Sequence, residues 1–242
     1  MGIIVQKFGG TSVANAAGLR RAARLISAAR SAGNGVVAVV SAQGDSTDRL
    51  LRKAAELSPD PCRRELDALL ASGEQASMAL LAMAAEAGGC PAVSLSGPAA
   101  GIVTDGYFGE AEITEINTER IRRELAAGRA VVVAGFQGAA PNGDVATLGR
   151  GGSDTSAVAL AAALGADVCK IYTDVDGVYT ADPRRDSAAK KLDHISYDEM
   201  LAMAKSGAQV LHPRAVELAK KYRVRVEVLS SFTGAAGTVL TP

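Results

Sequence analysis

No cluster of cysteine or histidine at metal-ligand spacing occurs in this 242-residue chain, which carries three cysteines and two histidines. Cys62, Cys90 and Cys169 are odd in number and far apart, so they are expected as buried free thiols rather than as disulfide or zinc ligands. His194 and His212 are too few for a histidine metal site and are expected to be structural. Net charge is also lacking, with Lys plus Arg and Asp plus Glu at 26 each. That balance excludes the broad positive field that nucleic acid or an anionic membrane requires, and leaves small molecules as partners. Apolar runs such as AVALAAALGA fall short of the roughly 20 residues that span a bilayer, and MGIIVQKFGG has no signal-peptide layout. A cytoplasmic location is expected, with no membrane partner.

What is present is a hydrophobic share of 48%, enough for one large domain or two lobes on a common core. Short β-branched runs, IIVQKF, GVVAVVS, PAVSLS, AVVVAGF and DVCKIYT, alternate with Ala-, Leu-, Arg- and Glu-rich segments of helical period. This order predicts an α/β fold, a largely parallel sheet with helices on both faces. Helix signals agree: SYDE at residues 196–199 fits a capping box, and NTERIRRELAAG offers Asn117 as a cap and Gly128 as a stop. The Pro-Asn-Gly turn near 138–143 is the candidate boundary between lobes, at about 1–145 and about 146–242, within a single domain.

Two glycine turns suggest an anion site. In IIVQKFGGTSV a strand runs into Gly9 and Gly10, and then into Thr11 and Ser12, which can cap the following helix. Bare amides and a positive helix end thus meet at the strand's carboxyl edge, with Lys7 adding a full charge. The alternative is a tight turn beside a solvated lysine. In TLGRGGSDTSAVALAAALGADV the same pattern returns before an apolar helix, so two turns could clamp one polyphosphate. A Walker motif is absent, Asp154 stands where a dinucleotide fingerprint needs its third glycine, and protein-kinase signatures are missing. A third polar cluster, IYTDVDGVYTADPRR, brings Thr173, Asp174, Asp176, Tyr179 and Arg184 to the end of a strand. By itself it is a polar loop; beside two anion turns it is a candidate nucleotide pocket.

KFGGTSV, VVSAQGDSTDRL, SGEQ, AGFQGAAPNGD, GRGGSDTSA, TDVDGVYTADPR and GAQVLHPRAVELA, in that order, resemble the aspartate kinases of the amino-acid kinase superfamily. The resemblance implies an open αβα sandwich on a mostly parallel sheet of about eight strands, with substrate on the N-terminal lobe and ATP on the C-terminal one. It implies phosphoryl transfer from ATP to the β-carboxylate of L-aspartate, with Mg²⁺ arriving on the nucleotide. Lys7 then neutralises the transferring group and Asp154 holds Lys7. Gly9, Gly10 and Ser41 sit at the phosphates, Ser41 also bordering the substrate. Arg150 grips the α-carboxylate, Glu74 takes the ammonium, and Thr47, Gly151, Gly152 and Ser153 complete the pocket. Without the resemblance, Glu74 reads as an acid at a helix start. The nucleotide side falls to Thr173, Asp174, Tyr179, Arg184 and Gln209.

Two departures accompany the resemblance. Gln209 stands where the family usually has a lysine near the phosphates, with Lys205 or Arg214 as candidates to restore the charge. The chain ends at GTVLTP, where the family continues into paired regulatory ACT domains. The expectation is a catalytic domain alone, standing by itself, trimmed, or served by a separate regulatory chain. A homodimer is implied, and EQASMALLAMAAEAG could be either its contact face or core. The alternatives left open are a kinase of the same fold for another carboxylate or phosphate acceptor, and a ligand-binding protein with weakened catalysis.

Overall fold

The computed structural model describes residues 2–181, 188–206, 210–233 and 235–241. The five β-branched runs become β1 (Ile3–Phe8), β2 (Gly35–Val40), β3 (Ala92–Leu95), β6 (Ala130–Ala134) and β9 (Val168–Thr173). They join β10 (His194–Ser196), β11 (Val226–Ser230) and β12 (Thr238–Thr241) in an eight-stranded sheet of order β10-β12-β11-β9-β1-β2-β6-β3. Every pairing is parallel except β11 with β12. Interior parallel strands are covered on both faces, which is why β2 and β6 are apolar and buried at every position.

Alternation along β2 sorts the helices into layers. Val37 and Val39 point into a core with α4 (Glu119–Ala126), α5 (Gly152–Leu164), α6 (Tyr197–Lys205) and α7 (Pro213–Tyr222). Val36, Ala38 and Val40 point the other way, against α1 (Ala16–Ser31) and α3 (Arg63–Ala87). The result is the expected three-layer αβα sandwich, and strands from both halves of the chain share its central sheet. α2 (Ser46–Leu57) lies outside these layers, with Ala54 as its one buried residue.

A second sheet, β5-β4-β7-β8, was not foreseen; it contains β4 (Ile102–Thr104), β5 (Ile113–Ile116), β7 (Gln137–Ala139) and β8 (Val145–Thr147). Its strands have three or four residues, too few for a periodic signal. The Pro-Asn-Gly turn is the tip of the β7–β8 hairpin, closed by Gly143 N–H to the Ala140 carbonyl at 2.9 Å. Ser196 and Glu199 form the expected capping box on α6. At α4 the cap position is Thr118, while Asn117 accepts the Glu119 N–H at 2.9 Å; Gly128 follows the helix end with φ +75°.

By length and composition α3 could cross a bilayer, since an 18-residue window has mean hydropathy 1.3. A count of uninterrupted apolar residues misses this, because Asp67, Glu74 and Gln75 break the run. Here Leu81, Ala82 and Ala85 pack against β2 and α1 residues, Leu80 and Met83 stay exposed, and Asp67 and Glu74 are buried beside a cleft.

The two sheets meet where the chain leaves β3. A methyl group at Gly97 would lie 1.9 Å from the Gln137 carbonyl oxygen on β7, a backbone atom that cannot swing aside. Gly97→Ala is expected to cost about 2 kcal/mol or more. Urea unfolding should show a lower midpoint at an unchanged slope.

Candidate active site

At the carboxyl edge of the sheet, both glycine turns open on one cleft of about 600 Å³. Lys7, Gly10, Ser41, Thr47, Glu74, Arg150, Gly151, Gly152, Ser153 and Asp154 all line it. Chain positions about 140 residues apart thus come together because β1 and β9 are neighbours and α5 leads directly into β9.

The first turn differs in detail from its sequence reading. Gly9 N–H donates to the Tyr172 carbonyl at 3.2 Å, so it is committed to β9 and does not face the cleft as a phosphate donor. The chain continues as a 3-10 turn over Gly10–Val13, whose first amides, at Gly10 and Thr11, have no acceptor within the turn. Thr11 and Ser12 do not cap α1: Asn15 does, accepting the Gly18 N–H at 3.0 Å. Ser12 is buried, and its hydroxyl donates to Ser231 at 2.9 Å. Gly10 must be glycine because a Cβ would lie 2.6 Å from the Ala42 carbonyl oxygen.

The second turn has left-handed backbone at Gly149 (φ +72°) and Gly151 (φ +69°), conformations that favour glycine. It delivers α5 with Ser153 and Asp154 in its first turn, where backbone amides lack intrahelical acceptors. Asp154 Oδ1 lies 2.7 Å from Lys7 Nζ, and both side chains are almost enclosed. The approach is off the in-line direction of a hydrogen bond, so the contact is ionic in character. Among the described residues Arg150 has no ion pair and projects, exposed, from the same turn.

Glu74 is the twelfth residue of α3, not a helix-start acid. Its Oε1 accepts the Ala42 N–H at 2.8 Å, while Oε2 is buried without a partner. Burial strips the carboxylate of water and raises its pKa from 4.5 to about 7, against the opposing pull of the Ala42 hydrogen bond. A buried carboxylate oxygen with no donor has the capacity to accept a hydrogen bond from a cation.

The polar cluster expected on the nucleotide side begins at the end of β9 and continues into the segment after it. Thr173 ends β9 and donates to Asp174 at 3.0 Å, and Tyr179 donates to Asp176 at 2.9 Å. Thr173, Asp174 and Tyr179 lie outside the walls of the cleft itself. Arg184 and Gln209 fall outside the described residues. Of the two cations considered as replacements for a lysine at 209, Arg214 is committed to the carbonyls of Leu148 and Ala111, and Lys205 pairs with Glu217 at 3.2 Å. Cys62 is exposed, and Cys90 and Cys169 are buried, all as free thiols.

Asp67 and Phe136 escaped the sequence reading. Asp67 is 1% exposed and accepts from Gly109 N–H (2.9 Å), Thr147 N–H (2.7 Å) and the Thr147 hydroxyl (2.8 Å). Its separation of seven residues from Glu74 places both on one helical face, a signal available in the sequence. Phe136 adopts φ +70° between β6 and β7, a strained conformation with no sequence signature.

Residues 2–230 match the amino acid kinase family. The chain is 55% identical over 240 residues to an aspartokinase of Geobacillus stearothermophilus and 54% identical over 240 residues to aspartokinase 2 of Bacillus subtilis, covering 99% of this chain in each case. It spans 59% of the length of each of these relatives. Among solved structures, it is similar to aspartate kinase from Synechocystis, with TM-score 0.88, 49% identity, and coverage of 99% of this chain and 39% of that one. Similarity to E. coli aspartokinase III in complex with aspartate and ADP gives TM-score 0.87, 30% identity, and coverage of 99% and 64%. The fold alone is shared with uridylate kinase of Archaeoglobus fulgidus, at TM-score 0.68, 21% identity, and full coverage of both chains.

A raised carboxyl pKa makes the ligand-free protein pH-sensitive. The folded state holds a proton on Glu74 that the unfolded state has lost, so this contribution is complete below about pH 4.5 and is lost as pH rises through about 7. The difference is on the order of 3 kcal/mol. Glu74→Gln should therefore be more stable than the unsubstituted chain at pH 8 and close to it at pH 5, measured by urea unfolding at both values.

Proposed function

The chain belongs to the amino acid kinase family, and on that footing we propose that it transfers the γ-phosphoryl group of ATP to the β-carboxylate of L-aspartate, giving 4-phospho-L-aspartate. One observation carries the reading: an unpartnered buried Glu74 oxygen and an unpaired Arg150 border the same cleft as the Lys7–Asp154 pair. An α-amino acid presents an ammonium and a carboxylate together, and this cleft offers one anion and one cation for them. An N-acetylated acceptor would leave Glu74 without a cation, and a phosphate acceptor would bring a second negative charge towards it.

The chemistry follows from the charges. A β-carboxylate with an ordinary pKa near about 4 is ionised at neutral pH, so it attacks without a general base. Its obstacle is repulsion by the phosphates. Lys7, at the end of the central strand, and the amides of the two turns supply fixed positive charge and dipoles where negative charge must be accommodated. Asp154 keeps the Lys7 ammonium from swinging into solvent. Arg150 and Glu74 then orient the acceptor so that its β-carboxylate faces the γ-phosphorus. On the nucleotide side, we assign Thr173 at the end of β9 and Asp174 and Tyr179 in the segment that follows, together with Arg184 and Gln209. Mg²⁺ would come with the nucleotide, bound mainly by phosphate oxygens and water.

An ADP-release assay with a panel of acceptors tests the proposal: aspartate, glutamate, N-acetylglutamate and uridine monophosphate. Aspartate should support turnover; turnover with another acceptor and none with aspartate would sink the reading. Lys7→Met is expected to lower kcat by roughly 10²–10³ with a smaller change in KM for either substrate. Circular dichroism should show the fold retained, and near-normal kcat in that variant would remove the role given to the lysine.

A further inference from the structure

Arg150 can grip a carboxylate only if its backbone is held still, yet it stands in a turn with left-handed glycines on both sides, at 149 and 151. The restraints on that turn come from elsewhere in the fold. On the near side, Asp67 of α3 accepts from Thr147, the last residue of β8. On the far side stands α7, whose second residue is Arg214. Its Nη1 donates to the Leu148 carbonyl at 2.7 Å and its Nη2 to the Ala111 carbonyl at 3.1 Å. Ala111 itself donates to the Thr147 carbonyl at 2.9 Å, and Leu148 N–H donates to the Phe136 carbonyl at 2.8 Å. One guanidinium therefore ties Leu148, immediately before Gly149, to the buried Ala111 of a separate segment. His212, at the cap position of α7, closes on the other end of the turn: a Cβ at Gly151 would lie 2.2 Å from the His212 Cβ.

We propose that Arg214 is a positioning residue for substrate selection, fixing the backbone from which Arg150 projects and so tying α7 to the carboxylate grip. Its planar fork serves two carbonyls at once, which a lysine, with a single ammonium centre, would do less well. Arg214 also lies in the wall of a second cleft of about 460 Å³ between β5, α5 and α7, away from Lys7 and Glu74. It acts on the active site from behind. This inference rests on the reading of Arg150 as the group that meets the acceptor's α-carboxylate.

The test is steady-state kinetics of Arg214→Met and Arg214→Lys, alone and combined with Arg150→Met, on the full chain. Arg214→Met should raise KM for aspartate roughly tenfold, with KM for ATP changed less than about twofold. Arg214→Lys should recover part of the loss. In the Arg150→Met background the same substitution should add almost nothing, because the group it positions is gone. An unchanged KM for aspartate in folded Arg214→Met, or the full tenfold penalty persisting without Arg150, would overturn the proposal. If Arg214→Met does not fold, Arg214→Lys carries the same comparison, and a wild-type KM in that variant, or the same rise with and without Arg150, overturns it. Failure of the unsubstituted chain to phosphorylate aspartate would instead remove the reading of the site on which the proposal depends.

Discussion

The 2.7 Å contact between Lys7 and Asp154 is the constraint around which the cleft is built. It joins the middle strand of the sheet to the first turn of the most deeply buried helix, and both partners are largely withdrawn from water. Enclosing two charges costs more solvation than their attraction restores unless the geometry is good, so such a pair is weak evidence for stability. Its placement is better explained by use. The pair holds one ammonium at the carboxyl edge of the sheet, beside backbone amides without internal acceptors.

The elements around that pair are arranged so that polar groups appear only where the sheet ends. α5 is buried along nearly its whole length, and its Ala and Val side chains let it lie close over β1 and β9. The glycines before it are required by left-handed backbone and by the nearness of His212 and Phe136. Small residues thus give close approach, and close approach brings Asp154 within reach of Lys7. Glu74 is handled oppositely, left short of one donor and therefore short of its usual acidity.

Much of this was legible in the sequence, for reasons that differ by element. GVVAVV is buried at every position and is written as an unbroken apolar run, whereas IIVQKF opens on three β-branched residues before Gln6 and Lys7 interrupt it. The two glycine turns could be placed because each sits between a strand and a helix pattern. The small sheet could not, since the three residues of β7 carry no period. Thr11 and Ser12 have cap chemistry, but a 3-10 turn displaced the helix start to Asn15. Gly9 was read as a free donor because nothing local reveals that β9, 160 residues later, claims its amide. The contacts of Arg214 are hidden for another reason: its partners, 66 and 103 residues away, are carbonyls, which leave no mark in a sequence.

The position of β1 between β2 and β9 has a consequence for how the molecule is assembled. One flank of β1 can be satisfied as soon as residue 40 has been made, but the other stays open until residues 168–173 emerge. Through most of its synthesis the chain carries an exposed edge at its own centre, bearing Lys7 without its counter-ion. Closing that edge seats β9 beside β1 and, through α5 immediately ahead of β9, brings Asp154 to Lys7, so maturation of the cleft is coupled to a pairing of strands distant in the chain.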